Sequence, residues 1–170
     1  MIVAYEDKRF WWHPGIDVLA ILSVSLGRHR GGATTIAMQL ARQLIPAPHI
    51  GPSWGKLKRK VFETVLGIYL LRSRGRRFVL SSWLITIPFG RAKITGLEHA
   101  ARAYFGKSVQ DLDELDGLLL AERITVSTGR YYPDRIARLV RWAARRNLLG
   151  TCDPNDALAR LGEMQKRVPT

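Results

Sequence analysis

Acidic residues are scarce in the first two thirds of this sequence, and their scarcity singles out the groups able to do acid–base work. Residues 1–110 hold Glu6, Asp7, Asp17, Glu63 and Glu98 as their acids. Glu6-Asp7 precedes Phe10, His13, Gly15 and Asp17; beside Lys8 and Arg9, two adjacent acids by themselves describe a solvated surface turn. Glu63 stands one turn after Lys56, Lys58, Arg59 and Lys60. At a helix start those cations oppose the macrodipole, at about 0.3–1 kcal/mol each, so stability alone does not select them. A bound anion would account for them, because backbone N–H groups and cations then converge on one negative group. The plainer reading pairs Arg59 and Lys60 with Glu63 at i+4 and i+3, for about 0.2–0.5 kcal/mol each. It explains two of the four cations. Two isolated carboxylates in a basic, apolar-rich surround suit acid–base chemistry on a substrate with a phosphate leaving group.

Other chemistries find less support. The single cysteine, Cys152, excludes an internal disulfide framework and a multi-cysteine zinc site. His13, His29, His49 and His99 never approach the spacing of a helical histidine metal site. No Gly-Lys-Ser/Thr follows a glycine-rich turn, so a phosphate-loop nucleotide site is absent. Trp11, Trp12, Trp54 and Trp83 could stack on bases, but no nucleic-acid-binding motif is present.

The elements that must position these groups come from a chain of 170 residues, enough for one domain spanning 1–170. Its 46% hydrophobic and 24% charged content describe a folded protein. Of its 27 Lys and Arg, 17 lie in residues 1–110 against five acids; residues 111–170 hold ten against nine. The formal charge of +13 therefore sits almost wholly in the first two thirds, which implies a polyanionic partner or surface. The longest uncharged apolar stretch, Phe78–Gly90, has 13 residues and contains Pro88, short of the roughly 20 that cross a bilayer. Val18–Gly27, Val61–Leu71 and Phe78–Phe89 are nonetheless greasy; core is the commoner fate of such stretches, and contact with a membrane the alternative.

The pattern is mainly α. Thr34 and Thr35, after Gly31-Gly32, cap a helix with Ile36, Leu40, Ala41 and Leu44 at helical spacing, stopped by Pro46 and Pro48. Residues 45–55 form a proline-rich loop. A second helix starts near Lys56, with Leu57, Val61, Val65 and Tyr69 on one stripe, and runs into the basic turn Arg72–Arg77. Residues 78–87 are open between buried helix and strand. Leu97–Phe105 is a helix capped by Gly106, and Asp111–Arg123 is amphipathic. Ile136, Leu139, Val140 and Ala143 mark a helix ending near Gly150, and Pro154 opens a short last one.

Three motifs resemble the family 51 glycosyltransferases, the peptidoglycan glycosyltransferase domain of penicillin-binding proteins and monofunctional transglycosylases. The pattern Glu-Asp-x-x-Phe-x-x-His-x-Gly-apolar-Asp is complete from Glu6 to Asp17. A second runs Gly32-Ala33-Thr34-Thr35-Ile36-Ala37-Met38-Gln39-Leu40-Ala41-Arg42, departing at Thr34 (usually Ser) and Ala37 (usually Thr). A third runs Arg59-Lys60-Val61-Phe62-Glu63 to Gly67, where Ala is usual, and Ala100–Lys107 is also family-like. The motifs thus lie within 6–107, with 108–170 as divergent C-terminal helices.

The resemblance implies a lysozyme-like, mainly α domain with an apolar membrane-facing jaw. Its activity would be polymerisation of lipid II into glycan strands, an inverting transfer with undecaprenyl pyrophosphate as leaving group. By position Glu6 would be the general base, assisted by Asp7, and Glu63 the second catalytic acid near the leaving pyrophosphate. Arg42, Arg59 and Lys60, with Lys56 adjacent, would neutralise the pyrophosphate, while Thr35 and Gln39 would hydrogen-bond the donor. No resident metal is assigned, although a divalent cation near Glu63 is compatible with the resemblance. The partners implied are lipid II, the lipid-linked strand, the anionic membrane surface and other wall-synthesis proteins, not nucleic acid. The location would be the outer, periplasmic face of the cytoplasmic membrane.

Other segments depart from the family pattern. The usual fourth motif, Ile-Leu-Glu-x-Tyr-Leu-Asn, is Val79-Leu80-Ser81-Ser82-Trp83-Leu84-Ile85, without the acid or the amide. Gly55 replaces a frequent basic residue, Leu70-Leu71 a frequent Leu-Glu, and Ile124-Thr125-Val126-Ser127 a proline-rich stretch. An extra residue falls between Phe89-Gly90 and Gly96. A catalytically impaired relative that binds lipid-linked pyrophosphate or wall-synthesis partners is the alternative. Family members carry a membrane helix and lead-in before the first motif, whereas Met1 is five residues from Glu6. A misplaced start, a fragment or peripheral attachment would each account for this.

Overall fold

Local signals place most helix ends. In the computed structural model, which describes residues 1–27, 33–45, 54–90, 94–125 and 132–166, the first helix is the short α1 (Ile2–Glu6). Helix α2 (Val18–Ser25) starts where the Asp17 side chain accepts the Ala20 N–H at 2.9 Å. Helix α3 (Ile36–Leu44) starts where Thr35 Oγ1 accepts the Met38 N–H at 3.3 Å. Each side-chain oxygen satisfies an amide that the helix itself leaves unpaired. Gly31-Gly32, Pro46, Pro48 and most of the proline-rich loop lie outside the described residues.

The long α4 (Trp54–Thr86) is broken at Gly75, whose φ of 80° and ψ of 166° suit a residue without a Cβ. Residues 78–86 are therefore helical, which settles the open choice between helix and strand. Strands β1 (Pro88–Phe89) and β2 (Ile94–Thr95) pair antiparallel, Pro88 opposite Thr95 and Phe89 opposite Ile94. Helix α5 (Leu97–Phe105) closes on Gly106 in the left-handed conformation. After a 3-10 turn at Val109–Asp111 come α6 (Glu114–Thr125), α7 (Pro133–Ala144) and α8 (Pro154–Lys166). Asp113 and Asp116 cap α6 reciprocally, each side chain accepting the other's backbone N–H, at 2.8 and 3.1 Å.

The chain packs as two compact units. One comprises Met1–Tyr5 and Ile87–Thr170, the other Glu6–Thr86. In the first, Leu115, Leu118 and Leu119 of α6 meet Ile136, Leu139, Val140 and Ala143 of α7, together with Leu149, Ala157 and Leu161. These α7 positions are the predicted stripe, although the helix ends at Ala144 rather than near Gly150. Helix α6 is buried continuously from Leu115 to Arg123, not on one face only. Its Glu122 and Arg123 pair with each other inside the unit.

In the second unit α3 packs on α4, burying Ile36, Ala37, Met38, Leu40 and Ala41 with Leu70, Leu71, Val79 and Trp83. A Cβ on Gly67 would lie 3.1 Å from the Ala37–Met38 backbone, so the two helices touch main chain to main chain there. The apolar stripe of α4, Leu57, Val61, Val65 and Tyr69, is exposed. Helix α2 buries no side chain at all. Core is therefore not where Val18–Ser25 ends up. Among the described residues, no helix is long and apolar enough to cross a membrane.

Candidate active site

Each residue assigned a site role from sequence lies in the unit Glu6–Thr86, and α3 connects the two carboxylates. Gln39 and Arg42 are three apart on this helix and so project from neighbouring positions of one face. Gln39 Nε2 donates to Glu6 Oε2 at 3.0 Å. Arg42 reaches Glu63 with two parallel bonds, Nε to Oε1 at 2.7 Å and Nη2 to Oε2 at 2.9 Å. One helical turn thus addresses both carboxylates.

Glu63 is 1% exposed, which an ionised carboxylate tolerates only when paired and hydrogen-bonded. The fork of Arg42 does this, and Arg59 Nε lies 3.4 Å from Oε1 one turn earlier on α4. Hydrogen bonding to Glu63 raises the Arg42 guanidinium above its ordinary value against the opposing effect of burial. Lys60 does not pair with Glu63 directly; its Nζ donates to Thr34 Oγ1 at 2.6 Å. Burial holds the Lys60 ammonium below the usual lysine range; Glu63 opposes that shift, and Arg42 and Arg59 add to it. Three cations gather around one carboxylate, leaving a surplus of positive charge. Lys56 is exposed, one turn before Lys60, with no hydrogen bond or ion pair among the described residues. Each Glu63 oxygen accepts one hydrogen bond from Arg42. Among the described residues no group of three or more His, Cys, Asp or Glu side chains could hold a metal.

Asp7 and Thr35 both bond to backbone at the start of α3. Asp7 is 6% exposed; Nε2 of His13 lies 2.8 and 3.0 Å from its two oxygens, and the Ile36 N–H donates to Oδ2 at 3.0 Å. The Gly15 N–H donates to His13 Nδ1 at 3.1 Å, which places the ring proton on Nε2, facing Asp7. Asp7 therefore ties the 7–15 turn to the N-terminus of α3, where its negative charge is favoured. Thr35 Oγ1 donates to the Gly15 carbonyl at 2.7 Å while capping α3. Arg9 grips Asp17 through Nε and Nη2. Burial pushes the Asp17 carboxyl up, but the bonds from Arg9 and the Ala20 N–H outweigh it and hold it below its ordinary range.

Two contributors escaped the sequence reading. Arg76, just past the Gly75 break, donates to the carbonyls of Trp11 at 3.1 Å and His13 at 2.8 Å, pinning the same turn. Trp83 is fully buried and donates its indole N–H to Gln39 Oε1 at 3.1 Å, so it is no surface for stacking a base. Its place in the fourth-motif segment was the available signal. Trp11 and Trp12 are exposed, and the Trp54 side chain lies outside the described residues.

Comparison with known proteins adds a family. The family model described as Transglycosylase matches residues 1–150. Penicillin-binding protein 1A of Clostridium tetani (strain Massachusetts / E88) is 32% identical over 128 residues, 70% of this chain and 15% of that protein. Penicillin-binding protein 1A of Aquifex aeolicus (strain VF5) is 33% identical over 136 residues, 77% of this chain and 18% of that protein. Penicillin-binding protein 1C of Escherichia coli (strain K12) is 30% identical over 139 residues, 79% of this chain and 17% of that protein. The chain thus spans less than a fifth of the length of these relatives.

Proposed function

The chain belongs to the transglycosylase family, glycosyltransferase family 51, and from that premise we propose that it polymerises lipid II into glycan strands. The observation that carries this reading is the surplus of cations around buried Glu63, beside a second carboxylate, Glu6, on the same face of α3. Such a site can take a proton at one end and stabilise a departing anion at the other.

In the proposed step the Glu6 carboxylate accepts the proton of the acceptor sugar's 4-hydroxyl as that oxygen bonds to the donor's anomeric carbon. The anomeric carbon–oxygen bond breaks with inversion, and its electron pair leaves on undecaprenyl pyrophosphate. Arg42, Arg59, Lys60 and, further out, Lys56 meet the pyrophosphate charge; preorganised cations of this kind cost no reorganisation during reaction. Glu63 acts here by holding the guanidiniums in place, since Arg42 occupies both its oxygens. Asp7 and Thr35 act at one remove, by fixing the turn and the helix that carry Glu6 and Gln39.

The exposed apolar side chains of α2 and of the outer stripe of α4 lie in a strongly basic segment. That combination supports a place at an anionic membrane surface, the outer face of the cytoplasmic membrane in this reading, where a lipid-linked substrate would be found.

The test is polymerisation of lipid II by the purified chain in a membrane mimic. Glu6→Gln should lower the rate about 10²–10⁴-fold while binding of the pyrophosphate lipid persists. Full activity in that variant would show the base is elsewhere. Binding without product from the wild-type chain, where a control enzyme works, would instead identify a non-catalytic relative.

A further inference from the structure

Glu6 is linked to a buried side chain through Gln39. Trp83 lies in α4 beyond the Gly75 break and is 0% exposed. Its Nε1–H donates to Gln39 Oε1 at 3.1 Å, and Gln39 Nε2 donates to Glu6 Oε2 at 3.0 Å. An indole nitrogen can only donate, whereas a glutamine amide can be placed either way round. The reversed amide would set its NH₂ against the indole N–H and its oxygen against the Glu6 carboxylate, repulsive at both ends. Both neighbours of Gln39 therefore demand the same amide orientation, the donor indole at one end and the acceptor carboxylate at the other.

We propose that Trp83 is a positioning residue for the transfer, orienting the Gln39 amide so that its N–H holds the Glu6 carboxylate in place for the acceptor hydroxyl. This rests on the reading of Glu6 as general base. The link crosses three elements, α1, α3 and α4, and its far end is rigid because Trp83 is enclosed on all sides. An indole nitrogen only donates. The direction of the link is set by chemistry as well as by packing. An amide freed from the indole loses its buried anchor, and the N–H that holds the Glu6 carboxylate gains freedom to shift with it. Small displacements of a reacting group are costly to rate while leaving substrate affinity largely alone.

Trp83→Phe keeps an aromatic ring in the core and removes the donor. With lipid II as substrate, kcat should fall about tenfold with KM within about twofold, in a chain still folded at the assay temperature although its melting temperature drops. In a Gln39→Leu background the same change should add nothing further to the loss, because Trp83 acts through Gln39. Wild-type kcat in Trp83→Phe, or losses that multiply in the double variant, would overturn the proposal. A second measurement covers a phenylalanine variant that does not fold. The chain has five tryptophans, and one of their five indole N–H resonances should move and lose protection from exchange in Gln39→Leu. Five unmoved resonances overturn the link. A wild-type chain that makes no product overturns the catalytic reading and the positioning role together, whereas failure of the link alone leaves the catalytic reading standing.

Discussion

Two guanidiniums meet buried Glu63, and they do so unequally. Arg42 takes both oxygens, whereas Arg59 lies 3.4 Å from one of them. Removing Arg42 leaves the carboxylate buried with that single longer contact, and an uncompensated buried charge is expensive. Arg42→Ala should lower unfolding stability by about 2–3 kcal/mol, read as a shift of the urea midpoint at unchanged slope. Arg42→Lys should recover only part of it, because an ammonium cannot make two parallel bonds. The sequence paired Glu63 with Arg59 and Lys60 by spacing alone. In the fold a residue 21 positions away takes the carboxylate, and Lys60 turns to Thr34. Asp7 shows the same limit: its type and motif were readable, but its engagement with His13 and the start of α3 required the turn to close.

At the scale of elements, the crossing of α3 and α4 sets the site. Gly67 lets the two backbones approach, and Gly15 lets the 7–15 turn lie against α4. Gly15 has φ +121°, and a Cβ there would fall 2.8 Å from Ile68 Cα. Gly15→Ala should therefore destabilise the chain by about 2–4 kcal/mol in a denaturant titration, from backbone strain and collision together. Gly75→Ala, whose Cβ would meet no atom, should cost only the strain, about 1–3 kcal/mol. Caps and breakers were legible because they act within a turn: Thr35 before α3, Gly106 after α5 and Pro154 at the start of α8. The inner face of α4 was not. Its most regular apolar stripe points outward, and the face that packs on α3 carries Glu63, Gly67, Leu70 and Leu71. Periodicity identifies a stripe; it does not say what the stripe will meet.

Across the whole molecule, charge and exposed apolar surface fall in the same unit. Residues 6–86 hold 13 Lys and Arg against four acids. They also carry α2 with no buried side chain, and Trp12 at 84% exposure. The chain should co-sediment with vesicles containing anionic lipid, more weakly with zwitterionic ones, and progressively less as salt is raised. Leu19→Asp and Leu22→Asp on α2 should each weaken vesicle binding about tenfold or more without lowering the melting temperature, since neither side chain is in the core. Binding unaffected by either change would place the contact elsewhere. The sequence by itself determined the family, the helical class, the basic bias and the residue types able to move a proton or meet an anion. These follow from composition and from spacings of a few residues, where chain geometry leaves little choice. Tertiary structure alone decided that Arg42 pairs with Glu63, that Asp7 braces α3, that the apolar stripe of α4 faces out, and that Trp83 reaches Glu6 through Gln39. Those outcomes join residues 21 to 44 positions apart, and many partners compete for each group over such separations. Only the packing of α3 on α4 selects among them.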